Sequence, residues 1–149
     1  MKAKFPLIAA GAMGVGAVLA FALPAGASVS VQSQSPPAGT VKLGQKATLQ
    51  ANGAVVFAPV KVTCRPGSYT QLTVLVAENV NGNIASGTTY TQVDPCTGQP
   101  QSMQIAVVPT QKAFKAGLAW GQATLQTCNQ NGECRTAVDQ HEITIVKKR

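Results

Sequence analysis

The sequence predicts an all-β protein, an antiparallel β-sandwich of about seven strands. Three observations predict it. The periodic stretches alternate apolar and polar residues with period two and are rich in Val, Ile and Thr, and none repeats at helical spacing. Turn signals recur at roughly the interval of a short strand. The 4 cysteines are even in number, and Cys128 and Cys134 flank the short polar loop Asn129-Gln130-Asn131-Gly132-Glu133 between two alternating runs. That last stretch, residues 117–146, reads as a disulfide-pinned hairpin forming the final two strands.

The chain has 149 residues, enough for one domain. It opens Met1-Lys2-Ala3-Lys4 and carries no further charge until Lys42. The run from Phe5 to Ala27 is apolar and rich in Gly and Ala, and ends Ala25-Gly26-Ala27-Ser28. Residues 1–27 are therefore expected to be a secretory signal peptide, cut after Ala27. The run is just long enough to span a bilayer, so the alternative is an uncleaved anchor. Pro24 and the Ala-Gly-Ala site favour cleavage, and no stable membrane insertion is expected afterwards. No Cys stands at the cut site and no twin arginine precedes it, which leaves the general secretory route. An extracellular location follows. Without Lys2 and Lys4, ten of the 12 Lys and Arg remain against five acids, a net charge of +5. Three of those positives are Lys147-Lys148-Arg149, so the basic balance is largely a tail effect.

Residues 28–39 are small and polar, with Pro36-Pro37, and read as a flexible linker. The domain is expected over 40–149. Val41-Lys42-Leu43 and Ala47 to Ala51 are short alternating pieces, and Asn52-Gly53 signals a hairpin turn. Val55-Val56-Phe57 follows. Pro59 cannot donate to a ladder and marks an edge, a bulge or a strand start. Val60, Val62 and Cys64 share a core-facing phase, and Arg65 to Ser68 breaks the strand. Gln71 to Val80 is the strongest strand signal, with Leu72, Val74 and Val76 on one face. Asn81-Gly82-Asn83 is a turn. Ile84 to Val93 is Thr-rich and suits an outer or edge position. Met103 to Val108 is next, then a loop with Phe114 and Gly117. Leu118 to Cys128 places Ala119, Ala123 and Leu125 on one face, and Gly121 marks a bulge or close packing. In the final strand Ile143 and Ile145 point inward. The core is expected to rest on Val, Ile and Leu with Phe57, Phe114 and Trp120.

Two disulfides are the natural reading of four cysteines in an exported chain. Of the three connectivities, Cys64–Cys96 with Cys128–Cys134 is preferred, because a hairpin brings the second pair together. No CxxC exists and His141 is the only histidine, so neither metal nor cofactor is expected.

The residues give little sign of an enzyme. His141 alternates in register with Ile143 and Ile145, and Asp139 falls on the same face. A base would need a nucleophile beside it, and no G-x-S-x-G elbow occurs. Lys42, Lys46, Lys61, Arg65, Lys112, Lys115 and Arg135 are dispersed, so no nucleic-acid partner is expected. Trp120, Tyr69 and Tyr90 are the large amphipathic rings and the candidate ligand contacts. Trp120 has the opposite phase to Ala119, Ala123 and Leu125. A bulge at Gly121 would reset that phase and bury the ring; otherwise it joins an exposed platform for sugar or hydrophobic ligand.

The layout resembles a family of small secreted immunoglobulin-like proteins of actinobacteria, of unknown function. The residues that carry the resemblance are Val62-Thr63-Cys64, Asp94-Pro95-Cys96, the Phe114-x-x-Gly117 entry to a long strand, and Cys128…Cys134 ahead of Glu142-Ile143-Thr144-Ile145. It implies an immunoglobulin-like sandwich and offers no catalytic residues. The chain is accordingly expected to be a non-enzymatic binding or cell-envelope-associated module, its partner a cell-envelope polymer or a small apolar ligand. A fainter similarity, over Trp120-Gly121-x-x-x-Leu125-x-x-Cys128 and Asp139, is to neocarzinostatin-type apoproteins. That would imply a carrier holding a small apolar ligand, although the first cysteine pair here is far more widely separated.

Overall fold

The computed structural model describes residues 39–148. The expected signal peptide and nearly all of the expected linker lie outside the described residues, as does Arg149. The described residues are all-β, with eight strands: β1 (Gly39–Leu43), β2 (Lys46–Gln50), β3 (Val55–Cys64), β4 (Tyr69–Val80), β5 (Asn83–Gln92), β6 (Gln101–Val107), β7 (Gly117–Cys128) and β8 (Cys134–Lys147). A single 3₁₀ turn, Ala51–Gly53, joins β2 to β3.

The strands form a two-layer sandwich. One layer is β1-β3-β6 and the other β8-β7-β4-β5, all antiparallel within each layer. Strand β2 belongs to both: it pairs antiparallel with β3 and parallel with β8. The split between β1 and β2 has a local cause. Pro59 sits inside β3, opposite the break, and offers no N–H there. Its carbonyl accepts the Gly44 N–H at 2.7 Å. A Cβ on Gly44 would lie 2.6 Å from the Pro59 ring, so the chain passes this point only as glycine. Two residues further on, β2 begins along β8, and from Thr48 it pairs with β3 again. The sequence left Pro59 as an edge, a bulge or a strand start; β3 runs through it as one strand, in unbroken register with β6.

Alternation fills the space between the layers. Val56, Ala58, Val60, Val62 and Cys64 point inward from β3, and Leu72, Val74 and Val76 from β4. Ala119, Ala123 and Leu125 meet them from β7, with Ile143 and Ile145 from β8. Phe114 closes one end at 1% exposure. Two core expectations are corrected. Phe57 falls on the opposite phase from Val56 and Ala58 and lies half-buried on the outside of its layer. Trp120 is 46% exposed. Strand β7 keeps unbroken register with both neighbours through Gly121, so no bulge resets its phase. Gly121 serves close packing instead: a Cβ there would meet a Leu43 methyl at 2.5 Å.

The preferred disulfide connectivity is present. Cys64–Cys96 ties the end of β3 to the segment before β6, and Cys128–Cys134 bridges directly opposed residues of the β7–β8 hairpin, Cα atoms 4.0 Å apart. Inside that hairpin the Asn129 side chain accepts the N–H groups of Asn131 and Glu133. Both bridges lie at the same end of the sandwich, over the buried pair Thr70 and Thr127, whose hydroxyls are 3.4 Å apart. Two disulfides fit an oxidising compartment. No helix among the described residues is long and apolar enough to cross a membrane.

The two bridges span 32 and 6 positions of chain. Loop-closure entropy then sets their order: loss of Cys64–Cys96 should cost about 4 kcal/mol and loss of Cys128–Cys134 about 2 kcal/mol. Urea unfolding of the two paired Cys→Ala variants checks this, the larger drop in midpoint belonging to Cys64/Cys96.

Candidate functional site

The outer face of the β8-β7-β4-β5 layer collects all three candidate ring residues. Because side chains alternate, each inward residue leaves its neighbours outward. Strand β4 buries Leu72, Val74 and Val76 and therefore shows Gln71, Thr73, Leu75 and Ala77. The register carries this phase across the layer. Thr73 stands beside Tyr90 and Thr124, and Thr124 beside Val138. Ala77 stands beside Ser86 and Trp120, and Trp120 beside Glu142. Tyr69 begins the face next to the Cys128–Cys134 bridge. Tyr69, Tyr90 and Trp120 are 55%, 67% and 46% exposed.

The sequence reading missed the apolar residues around them. Leu118, Ile84 and Val138 are all well exposed on this face. The signal was available: Leu118 shares the phase of Trp120, and Ile84 that of Tyr90. The rest of the face is amide and hydroxyl. Gln71, Gln92, Gln122, Gln126 and Gln140 point outward, with Thr73, Thr88, Thr124, Thr136 and Thr144. Most of these side chains are free to bond a partner. One exception is Gln122, which donates to Thr124 Oγ1 at 3.3 Å. Among the outward positions of these four strands Glu142 is the one charged side chain. Beside Trp120 and Glu142 lies a cleft of about 260 Å³ that also reaches Asn79, Leu118 and the buried carboxylate of Glu78.

The other layer differs. Lys42 and Lys61 are directly opposed across β1 and β3, beside a groove of about 360 Å³ that includes Ser102, Met103 and Gln104. Two like charges in register repel. The sequence left these lysines dispersed; pairing brings these two together.

Asp139 and His141 do share the inward face of β8, with Asp139 Oδ1 3.4 Å from His141 Nδ1. The carboxylate has a structural partner, since Asp139 Oδ2 accepts the Leu43 N–H at 2.7 Å. That bond satisfies a backbone donor of β1 just where the strand breaks. His141 Nε2 is buried with no hydrogen-bond partner, so no hydroxyl is held against it. Glu78 works in the same way as Asp139: its Oε2 accepts the Lys115 N–H at 2.9 Å and fixes the loop ahead of β7. Among the described residues no group of three or more His, Cys, Asp or Glu is placed to hold a metal ion.

No family model and no curated protein sequence matches the chain. Among solved structures it is similar to Spo0M, a sporulation control protein from Bacillus subtilis, with 12% identity and a TM-score of 0.33. That likeness covers 75% of this chain and 50% of the other, so the chain spans about half the length of that protein. At this level it carries no argument about function.

Replacing Asp139 by Ala strands the Leu43 N–H and should cost about 1–3 kcal/mol of stability. Asp139→Asn keeps an oxygen in place and should cost less. Thermal unfolding of the two variants gives the comparison, and equal losses would assign Asp139 no role in accepting that bond.

Proposed function

We propose that this chain is a secreted, non-enzymatic, immunoglobulin-like binding module associated with the cell envelope, and that it binds through the outer face of the β8-β7-β4-β5 layer. The observation that carries the reading is the exposure of Tyr69, Tyr90 and Trp120 together on one nearly uncharged face. Large apolar surface left open on a soluble domain marks an interaction site. The immunoglobulin-like part is supported by the strand order, three strands against four with a first strand that switches layers, and by the resemblance to secreted proteins of actinobacteria. Export is supported by the n-region, apolar run and Ala25-Gly26-Ala27 of the leader, and by the two disulfides.

The non-enzymatic part is supported by the engagement of Asp139 with the Leu43 backbone and by the unpartnered His141 Nε2. Binding at the surface is favoured over a ligand held between the layers because the layers touch. A Cβ on Gly39 would strike Leu125 at 2.8 Å, and one on Gly121 would strike Leu43.

Fractionation of cells secreting the chain tests this reading. The wild-type protein should partition with the envelope, and Tyr90→Ala/Trp120→Ala should move it into the medium, lowering the bound fraction about tenfold. A wild-type protein found wholly free in the medium, or a variant that stays bound, refutes it.

A further inference from the structure

We infer that the outer face of the β8-β7-β4-β5 layer takes a linear, uncharged polysaccharide laid along β4, with Tyr69, Tyr90 and Trp120 stacked on its sugar rings. The inference rests on the binding-module reading above and gives it a ligand class.

Three observations carry it. The first is charge. The chain has 12 Lys and Arg, yet none stands at an outward position of these four strands. A face built for an anionic polymer would collect them, and a protein interface would commonly recruit arginine. A neutral partner leaves no charge to complement.

The second is chemistry. A sugar ring presents an apolar C–H face and a rim of hydroxyls that both donate and accept. Aromatic rings match the first, and the amides of Gln71, Gln92 and Gln126 with the hydroxyls of Thr73 and Thr88 match the second. Glu142 stands directly across from Trp120 on the rim of the 260 Å³ cleft. A carboxylate there accepts from two neighbouring hydroxyls of a ring stacked on the indole.

The third is spacing. Measured along β4, Tyr69 stands at its own position, Tyr90 at the level of Thr73 and Trp120 at the level of Ala77. The rings therefore recur every four residues, or about 13 Å along the strand. Tyr90 is one strand to one side of β4 and Trp120 one strand to the other. Rings evenly stepped along the strand direction, each within one strand of β4, suit a repeating, extended partner better than a compact one. A polymer running with the strands also stays on the long dimension of the face, where the ladders hold the rings in place.

The test uses the full secreted chain in sedimentation with insoluble microcrystalline cellulose and chitin, at low and high salt. Retention on at least one of them, unchanged by salt, is expected. Tyr69→Ala, Tyr90→Ala and Trp120→Ala should each weaken it about threefold to tenfold, with unchanged melting temperatures because the rings lie outside the core. Retention that salt abolishes assigns binding to Lys42, Lys61 or the basic tail and overturns the inference. Retention unaffected by all three variants overturns it as well. Failure to bind either polysaccharide, while the wild-type chain still partitions with the envelope, removes the glycan and leaves the binding-module reading standing. Dimers in size-exclusion chromatography that Trp120→Ala dissociates, without retention, overturn it in favour of a second copy of the chain.

Discussion

The sandwich depends on what happens at Gly44. There the ladder with β3 is interrupted until Thr48, because Pro59 supplies no donor and its ring occupies the space of a side chain. The strand turns aside and finds β8 within two residues, where the Thr144 N–H reaches the Gln45 carbonyl at 2.8 Å. One backbone defect thus converts an edge strand into the link between two layers. Several other features follow from it. Asp139 is placed where it can satisfy Leu43, the last residue before the break. Leu43 is driven across the interior onto Gly121, which must lack a side chain to receive it. The long β7–β8 hairpin is held from below by this contact and at its tip by Cys128–Cys134.

The opposite side of the molecule closes differently. Strands β5 and β6 do not pair along their length. Thr89 Oγ1 donates to the Ala106 carbonyl of β6 at 2.7 Å, and just past β6 the Thr110 N–H donates to the Ser86 carbonyl at 2.9 Å. Gly87 leaves room for the Val108 carbonyl, which a Cβ would meet at 2.2 Å. A threonine-rich edge strand is thereby partly covered, which guards it against pairing with other chains. Its outward residues remain free to contribute to the uncharged face.

The strands and the fold class were legible in the sequence because each layer buries one face, and burial on one side writes itself as period-two alternation. Leu72, Val74 and Val76 gave their direction away, as did Ile143 and Ile145. The direction of Trp120 was left open by a local ambiguity, since a glycine inside a strand signals either a bulge or a close contact. The answer depended on Leu43, a residue 78 positions away along the numbering, which no local pattern announces. Phe57 was misplaced by its size, although its phase against Val56 and Ala58 already pointed outward. The apolar residues Leu118, Ile84 and Val138 were readable one at a time but not as a surface. Their proximity is a property of strand order, and strand order is set by long-range pairing. The jobs of Asp139 and Glu78 were equally invisible, because both are anchors for backbone groups far away in the chain.

The parallel pairing of β2 with β8 has a mechanical consequence. These are strands near the two ends of the described chain, and they run side by side in the same direction over Lys46–Leu49 and Thr144–Lys147. A pull applied at both ends of the domain drags them past each other. Their hydrogen bonds are then loaded together, in shear, and none can open before the others as the rungs of a hairpin do when its ends are peeled apart. A domain held at one end and tugged at the other would resist extension until the whole patch yields at once.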